Sequence, residues 1–376
     1  MKGEHVARSS IRRWVVGASV AALSVGLLPL GALPSSAVDS AGAAVDAASD
    51  TYVPSQAARS DVEVTVPVRT VSGMRALTGE GGSVNIKVGR SGYIPVAVDT
   101  GFTGLLLFPD AMSEKTGGVS ISKHASKFTG LGLRGTSSVT GFPGKAKITI
   151  SGVESVYEVP FLYTKSTSPF FNALRSTGVH GLMGIGLKGD KGFTNPLAAM
   201  PGQLGLRWSI HYSRSRSAHS SGAIVLGAAP PAESTMVFHI PRLGQDSYGA
   251  QLWNDYAVPA CWKFARMAEQ CVPTTFDSQF TVLRGLGLAG RGVQTDVDGD
   301  TRLGTRVSLR APGSAYTGWS YLSGQRASVN RTQVFKHGKP AVNTGNAIFF
   351  DFTLTYDAIN GSLTLSDPVT KAGAHQ

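Results

Sequence analysis

The sequence predicts an all-β protein with two similar lobes, and three observations support this prediction. Glycine is abundant, at 46 of 376 residues, apolar runs are short, and few segments show the long amphipathic period of a helix. One pattern occurs twice: an apolar strand, then Asp, a hydroxyl residue, a turn, Phe and Thr. The two acids, Asp99 and Asp277, are 178 positions apart, which leaves enough chain for one lobe each. We therefore expect a site at the lobe interface, where the two carboxylates can face each other.

The N-terminus has the order of features found in a secretory signal peptide. Arg8, Arg12 and Arg13 precede an apolar stretch over residues 14–33, and small residues follow as far as Ala37. We predict a signal peptide over residues 1–37, while the length of the apolar stretch leaves an uncleaved membrane anchor open. The protein is then expected to be secreted or held at the cell surface.

The rest of the chain divides into a tail and two predicted lobes. Residues 38–60 are rich in Ala, Ser and Asp, which predicts a flexible tail or a short pro-segment. Residues 61–230 carry the first Asp motif and form the predicted N-terminal lobe. Residues 231–376 carry the second motif and form the predicted C-terminal lobe. Two prolines near residue 230 mark the bend between them.

Charge and cysteine content narrow the classes of function. The net charge is +11, but the basic residues are scattered, so we expect no nucleic-acid partner and leave association with an anionic cell-surface polymer open. Cys261 and Cys271 are the only cysteines, and in an exported chain such a pair predicts one disulfide. No His pair accompanies them, so a zinc site is not expected.

Short apolar runs predict the strands, and polar or Gly-rich segments predict the connections. A loop or short helix is predicted over 168–176 and a short helix over 195–204. An Asn-Gly pair at residues 360–361 predicts a two-residue hairpin turn. The predicted strands span 61–70, 83–88, 93–98, 104–108, 145–150, 156–163, 178–187, 208–212, 222–227, 236–240, 252–262, 272–277, 347–356 and 363–365.

The first Asp motif has two readings. An acid at the end of a buried strand is costly unless hydrogen bonds or a charge hold it, and Gly101 removes a side chain where the backbone must turn and offer its N–H to Asp99. The simpler reading is a turn between two core strands that Asp99 merely caps. The second copy at Asp277 favours a paired site over two unrelated turns.

These residues resemble the pepsin-like aspartic protease family over about residues 61–367. Asp99-Thr100-Gly101 matches the first catalytic triplet of that family, and Asp277-Ser278-Gln279 matches the second with its glycine replaced. Residues 135–141 are similar to the flap hairpin that closes over substrate, and residues 182–184 are similar to the strand that supports the first Asp loop. The resemblance implies two lobes related by a pseudo-two-fold axis, an interlobe cleft, a polypeptide substrate, a monomer and no metal or cofactor. The residues to which the family's roles carry over are Asp99 and Asp277 as catalytic acids, Thr100, Gly101, Ser278 and Gln279 as their supports, and Arg134, Gly135, Thr136 and Ser137 in the flap.

Four departures from the family pattern favour a second hypothesis, a pepsin-like scaffold that binds or inhibits without turnover. Arg134 replaces the usual flap tyrosine, and Gln279 replaces a glycine. Phe102 and Phe280 follow the triplets where pepsins usually have Ser or Thr, which predicts a less polar site and raised carboxyl pKa values. Residues 343–345 read Asn-Thr-Gly where an apolar-apolar-Gly strand is expected.

Other motifs do not support other classes of function. Two GxGxxG matches, at residues 130–135 and 285–290, do not open a helix after a strand, so nucleotide binding is not expected. The acids Asp296, Asp298 and Asp300 are spaced as in a calcium loop, but Val307 stands where that loop needs its bidentate Glu, which indicates a solvated turn.

Overall fold

The structure is a computed structural model in which the described residues are 63–71, 81–112, 116–131, 137–164, 169–189, 193–213, 222–229, 236–246, 249–288, 293–324 and 330–367. The predicted signal peptide and tail lie outside these residues, as do Arg134, Gly135 and Thr136. All described residues belong to the unit Tyr52–Gln376. Within the described residues, no helix is long and apolar enough to cross a membrane.

Strands dominate both halves of the chain. In the first half they are β1 Val64–Val71, β2 Gly81–Val88, β3 Ile94–Asp99, β4 Thr103–Leu107, β5 Val119–Ile121, β6 Ser126–Leu131, β7 Ser137–Ala146, β8 Ile148–Ile150, β9 Val153–Glu154, β10 Val159–Tyr163, β11 Gly181–Ile185, β12 Arg207–Tyr212 and β13 Gly222–Leu226. Helix α1, Pro169–Ser176, precedes β11, and two 3-10 turns, Pro196–Ala199 and Gly202–Gly205, precede β12.

The second half is built in the same way. Its strands are β14 Met236–His239, β15 Arg242–Gln245, β16 Gln251–Trp253, β17 Val258–Phe264, β18 Gln270–Thr275, β19 Leu283–Leu286, β20 Arg306–Arg310, β21 Trp319–Leu322, β22 Thr332–Val334, β23 Ala341–Asn343, β24 Thr353–Asp357 and β25 Ser362–Ser366. Helix α2, Ala347–Asp351, lies between β23 and β24.

The strands around the two Asp motifs pair in the same order. In the first half the order is β2-β3-β11-β4-β10, and in the second half it is β17-β18-β23-β19-β22. In each case the Asp strand runs parallel to the third strand, which pairs antiparallel with the strand that follows the Asp loop. The repeated sequence pattern therefore corresponds to a repeated strand topology, as expected for an all-β fold with two similar halves.

One large sheet includes strands from both halves. β12 pairs with β13 on one side and with β24 on the other, and β24 continues through β25 to β14. Stacking of Trp208 on Tyr356, with ring centroids 5.8 Å apart, strengthens this contact. The sheet fixes the first half against the end of the chain and so limits how far the two Asp loops can separate.

Several local predictions differ from the structure. Residues 347–351 form helix α2 instead of the start of a strand, so the predicted strand 347–356 is confirmed only from Thr353 onward. The short helix predicted over 195–204 is two 3-10 turns. The Asn-Gly pair lies in a longer turn, since Asp357 pairs with Ser362, and the Asp357 carboxylate accepts the N–H groups of Ile359 and Asn360.

The described residues form two clusters of buried apolar side chains. The larger one contains buried side chains from both halves, whereas the smaller one lies in the first half around α1, β4 and β11. Phe102 belongs to the smaller cluster and is only 1% exposed, while Phe280 is partly exposed and packs under the Arg284 guanidinium. The two phenylalanines after the Asp triplets therefore lie in different surroundings.

Candidate active site

The first Asp loop begins where β3 ends. Asp99 is 7% exposed, and its Oδ1 accepts the Gly101 N–H at 2.8 Å. A Cβ atom added to Gly101 would lie 2.7 Å from Cγ of Asp277, so any side chain there would collide with the second carboxyl group. Glycine is required at this position by close approach rather than by a left-handed backbone, because Gly101 is absent from the described residues with positive φ.

The second Asp loop follows β18 and holds its carboxylate with more donors. Asp277 is 3% exposed, and its Oδ1 accepts the N–H groups of Gln279 at 3.0 Å and Phe280 at 3.2 Å. Its Oδ2 accepts the side-chain amide of Asn343 at 2.6 Å. Both loops therefore use the N–H two residues after the Asp, and the second adds two further donors.

The hydroxyl residues that follow the two acids exchange hydrogen bonds across the interface. The Thr100 N–H donates to Oγ of Ser278 at 3.1 Å, and the Ser278 N–H donates to Oγ1 of Thr100 at 2.9 Å. The Thr100 hydroxyl also donates to the carbonyl oxygen of Phe276, the residue before Asp277. The Ser278 hydroxyl donates to the carbonyl oxygen of Val98, the residue before Asp99. This reciprocal set holds the two loops together and explains why both motifs have a small hydroxyl residue after Asp.

The two carboxyl groups are close enough to hydrogen-bond and to perturb each other electrostatically. Burial raises the pKa of Asp99 well above its ordinary value, and the charge and hydrogen bond of Asp277 raise that pKa further. Burial also raises the pKa of Asp277, but the Asn343 amide and the N–H groups of its own loop act in the opposite direction. Two buried carboxyl groups that interact in this way share a proton and titrate as a pair.

Gln279 stands where the family has glycine, and it adopts a conformation that other residues tolerate. It is not among the described residues with positive φ, so its N–H reaches Asp277 without backbone strain. Its side chain is buried and donates to the carbonyl oxygens of Val98 and, at 3.2 Å, Gly82. A Cβ on Gly81 would lie 2.5 Å from Oε1 of Gln279, so the first half leaves space for this side chain.

A third buried acid, Asp255, lies near the first loop and was missed in the sequence. Its Oδ2 accepts the Leu187 N–H at 2.5 Å, and burial raises its pKa to about 7. Its charge also contributes to the raised pKa of Asp99. The available signal was an acid inside the apolar run 252–262, which we interpreted as one strand although β17 begins only at Val258.

The other predicted site residues have different outcomes. Ser137 starts β7, which pairs antiparallel with β6, while the predicted flap residues Arg134, Gly135 and Thr136 lie outside the described residues. Cys261 and Cys271 form the predicted disulfide and face each other across β17 and β18. The disulfide therefore closes the hairpin of β17 and β18 and links the strand before Asp277 to its neighbour.

A pocket with a volume of about 210 Å³ lies on another part of the first half. It is lined by residues of β1 and β2 together with Tyr93 and Ser151, and none of its lining residues is hydrogen-bonded to the Asp pair. We do not assign it to the chemistry of Asp99 and Asp277.

Comparison with known proteins supports the fold. The structure is similar to the crystal structure of an aspartic proteinase from Irpex lacteus, with a TM-score of 0.55 and 15% sequence identity over 84% of this chain and 100% of that chain. No protein-family model matches the sequence, and no curated protein matches it. The chain thus has the bilobal, all-β fold of pepsin-like aspartic proteinases.

Proposed function

We propose that this chain is an exported aspartic endopeptidase that hydrolyses peptide bonds with a water molecule activated by Asp99 and Asp277. The observation that carries the proposal is the reciprocal bonding of Thr100 and Ser278, which holds two buried carboxyl groups side by side. Two structural turns with unrelated roles would have no need to exchange these bonds. The fold likeness to a proteinase supports the same class.

The proposed chemistry needs one proton shared by two acids. The ionised carboxylate takes a proton from water, and the water oxygen attacks the peptide carbonyl carbon. The protonated carboxyl group donates its proton to the carbonyl oxygen. When the tetrahedral intermediate collapses, the C–N bond breaks, the acid that took the water proton gives it to the leaving nitrogen, and the other carboxylate takes a proton from a hydroxyl group of the intermediate. The proposal includes no metal, cofactor or covalent intermediate.

The rest of the proposal concerns where the protein acts and on what. The disulfide Cys261–Cys271 and the signal-like N-terminus support export, because disulfides persist outside the reducing cytoplasm. We propose a polypeptide substrate, a monomeric enzyme and no nucleic-acid partner. The excess of basic over acidic residues supports contact with an anionic cell surface.

The test is hydrolysis of an unfolded protein by the exported chain between pH 3 and 7. We expect cleavage that a statine-type transition-state mimic blocks, and no cleavage by Asp99→Asn or Asp277→Asn. Cleavage by either variant at the parent rate would contradict the proposed roles of the acids. Absence of cleavage by a folded parent protein over the whole range would contradict the enzyme itself.

A scaffold that binds polypeptide without turnover is the alternative, and Gln279 is the observation that favours it. Its buried side chain fills space beside Gly81 and Gly82, where the family has no side chain. Gln279→Gly distinguishes the two. If this variant gains cleavage activity that the parent lacks, the parent is a binding protein derived from a protease. If both cleave, the enzyme proposal stands.

A further inference from the structure

Asn343 makes a contact with the Asp pair that the family pattern does not predict. It ends β23, pairs in parallel register with Thr275, and is 2% exposed. Its Oδ1 accepts the Gly345 N–H at 2.9 Å, which fixes the orientation of the amide group. The Nδ2 then points to Asp277 and donates to Oδ2 at 2.6 Å. The side chain is therefore held at both ends, with its donor on a carboxylate oxygen.

The equivalent position in the first half provides no such donor. Leu182 in β11 pairs with Ala97, two residues before Asp99, just as Asn343 pairs with a residue two before Asp277. Leu182 is fully buried and apolar. Among the described contacts, Asp99 accepts a backbone N–H from Gly101 and has no counterpart of the Asn343 amide. The two halves thus differ in the groups that stabilise negative charge.

The charged and titratable groups around the pair act in the same direction. Arg284 lies opposite Asn343 in β19, and its positive charge favours the ionised form of Asp277. The carboxyl group of Asp255 disfavours a negative charge on Asp99. Burial raises the pKa values of Tyr212 and Tyr356 above their ordinary values, so both phenols stay neutral beside the pair.

We propose that Asn343 is a positioning residue that makes Asp277 the ionised member of the pair and leaves the shared proton on Asp99. This inference rests on the proposed function and deepens it, because it assigns the two roles. Asp277 becomes the base that accepts the proton of water, and Asp99 becomes the acid that donates to the carbonyl oxygen. A hydrogen bond to a charged acceptor is stronger than one to a neutral acceptor, which gives the amide its preference for ionised Asp277.

The test compares Asn343→Leu with Val342→Ala. The first variant introduces at position 343 the residue type that stands at the equivalent position of the first half, Leu182. Val342 is the adjacent buried residue of β23 and donates no side-chain bond, so its truncation reports general damage to the strand. In the pH profile of kcat/KM, we expect Asn343→Leu to move the acid limb up by about 1 to 2 pH units, and Val342→Ala to leave the limb in place. Lower activity at every pH with an unmoved limb in Asn343→Leu would overturn the inference.

A second measurement separates this inference from the proposed function. Carbon-13 NMR of the Asp carboxyl groups, assigned with Asp99→Asn and Asp277→Asn, follows ionisation in the full exported chain without any substrate. We expect Asp277 to ionise at lower pH than Asp99. In Asn343→Leu, we expect the difference between the two pKa values to shrink or the order of ionisation to reverse. This result without any proteolysis would support the inference while the protease proposal fails. Proteolysis together with an unchanged order in Asn343→Leu would overturn the inference alone.

Discussion

The first and second Asp loops have the same topology but unequal means of holding a carboxylate. Each accepts an N–H from the residue two positions after the acid, at 2.8 and 3.0 Å. The second loop adds the Phe280 N–H and the Asn343 amide, and has Arg284 nearby. The first loop instead has a third acid, Asp255, in its surroundings. A repeat can thus preserve backbone geometry while the electrostatics of its two copies diverge.

The residue that follows Thr100 or Ser278 also differs between the two loops. Gly101 lies directly against the Asp277 carboxyl group, whereas Gln279 sends its side chain across to β2 and β3 in the first half. The contact between the loops is therefore one-sided at this position and reciprocal only at Thr100 and Ser278. This comparison makes four predictions, which follow from the largest expected effect to the smallest.

The largest effect is expected from neutralising either acid. Asp99→Asn and Asp277→Asn should each abolish turnover, because the amide keeps the shape of the side chain but cannot share the proton. The fold should be retained, since loss of a charge also removes the repulsion between two buried carboxyl groups. Peptide hydrolysis and thermal unfolding measured side by side check both parts. Loss of folding in either variant would mean that the ionised pair is needed for stability.

The second prediction concerns Asp255, the third buried acid, which lies near the first Asp loop. Its pKa in the folded protein is raised to about 7, so between about pH 4 and 7 the folded state keeps a proton that the unfolded state releases. The free energy of unfolding should therefore fall as pH rises through this window. Asp255→Asn should remove this fall and be more stable at pH 7 by up to about 4 kcal/mol, with little change near pH 4.

Urea unfolding at pH 4, 5.5 and 7 measures this effect. Asp357→Asn is the matched control, because the pKa of Asp357 is lowered overall: burial raises it, but bonds from Arg207 and Asn360 outweigh burial. Asp357 stabilises the fold above its unfolded pKa and loses that contribution only in acid. A variant at Asp255 that is less stable than the parent at pH 7 would contradict the assignment.

The third prediction separates Gly101 from Gln279. Gly101→Ala should lower the free energy of unfolding by about 1–3 kcal/mol and abolish turnover, because the new methyl group must displace the Asp277 carboxyl group. Gln279→Ala should cost a similar amount through lost bonds to Val98 and Gly82, but should keep the N–H that holds Asp277. Equal loss of turnover in both variants would show that the two positions are equivalent after all.

The smallest effect is a coupling energy. Thr100→Val and Ser278→Ala each leave buried partners without bonds, so each should lower the free energy of unfolding by about 1–3 kcal/mol. Because they remove members of one bonded set, the double variant should cost less than the two single variants added, by about 0.5 kcal/mol or more. A double-mutant cycle from urea unfolding tests this. Strict additivity would mean that the exchange across the interface contributes no cooperativity.

Much of the fold was predictable from sequence, and the site only in part. The Asp strands, the disulfide and the repeated motif were visible because their signals are local or occur twice. Helix α2 was missed because Ala-Ile-Phe-Phe is apolar without a distinguishing period, and such a short run fits a strand equally well. Asn343 and Asp255 acquire their roles through contacts over 66 and 68 residues, which no local pattern encodes.

The pairing of β12 with β24 has a consequence for the order in which the fold is completed during synthesis. During synthesis the first half is made first, so one edge of β12 has no partner until β24 is made, and Asp99 has no second carboxyl group beside it until Asp277 is made. Asp277 follows β18, whereas β24 is one of the last two strands of the described chain. A chain that ends before β24 therefore has both acids but lacks the strand that joins the first half to the end of the chain. Late closure of the sheet thus ties the proposed activity to synthesis of nearly the whole chain.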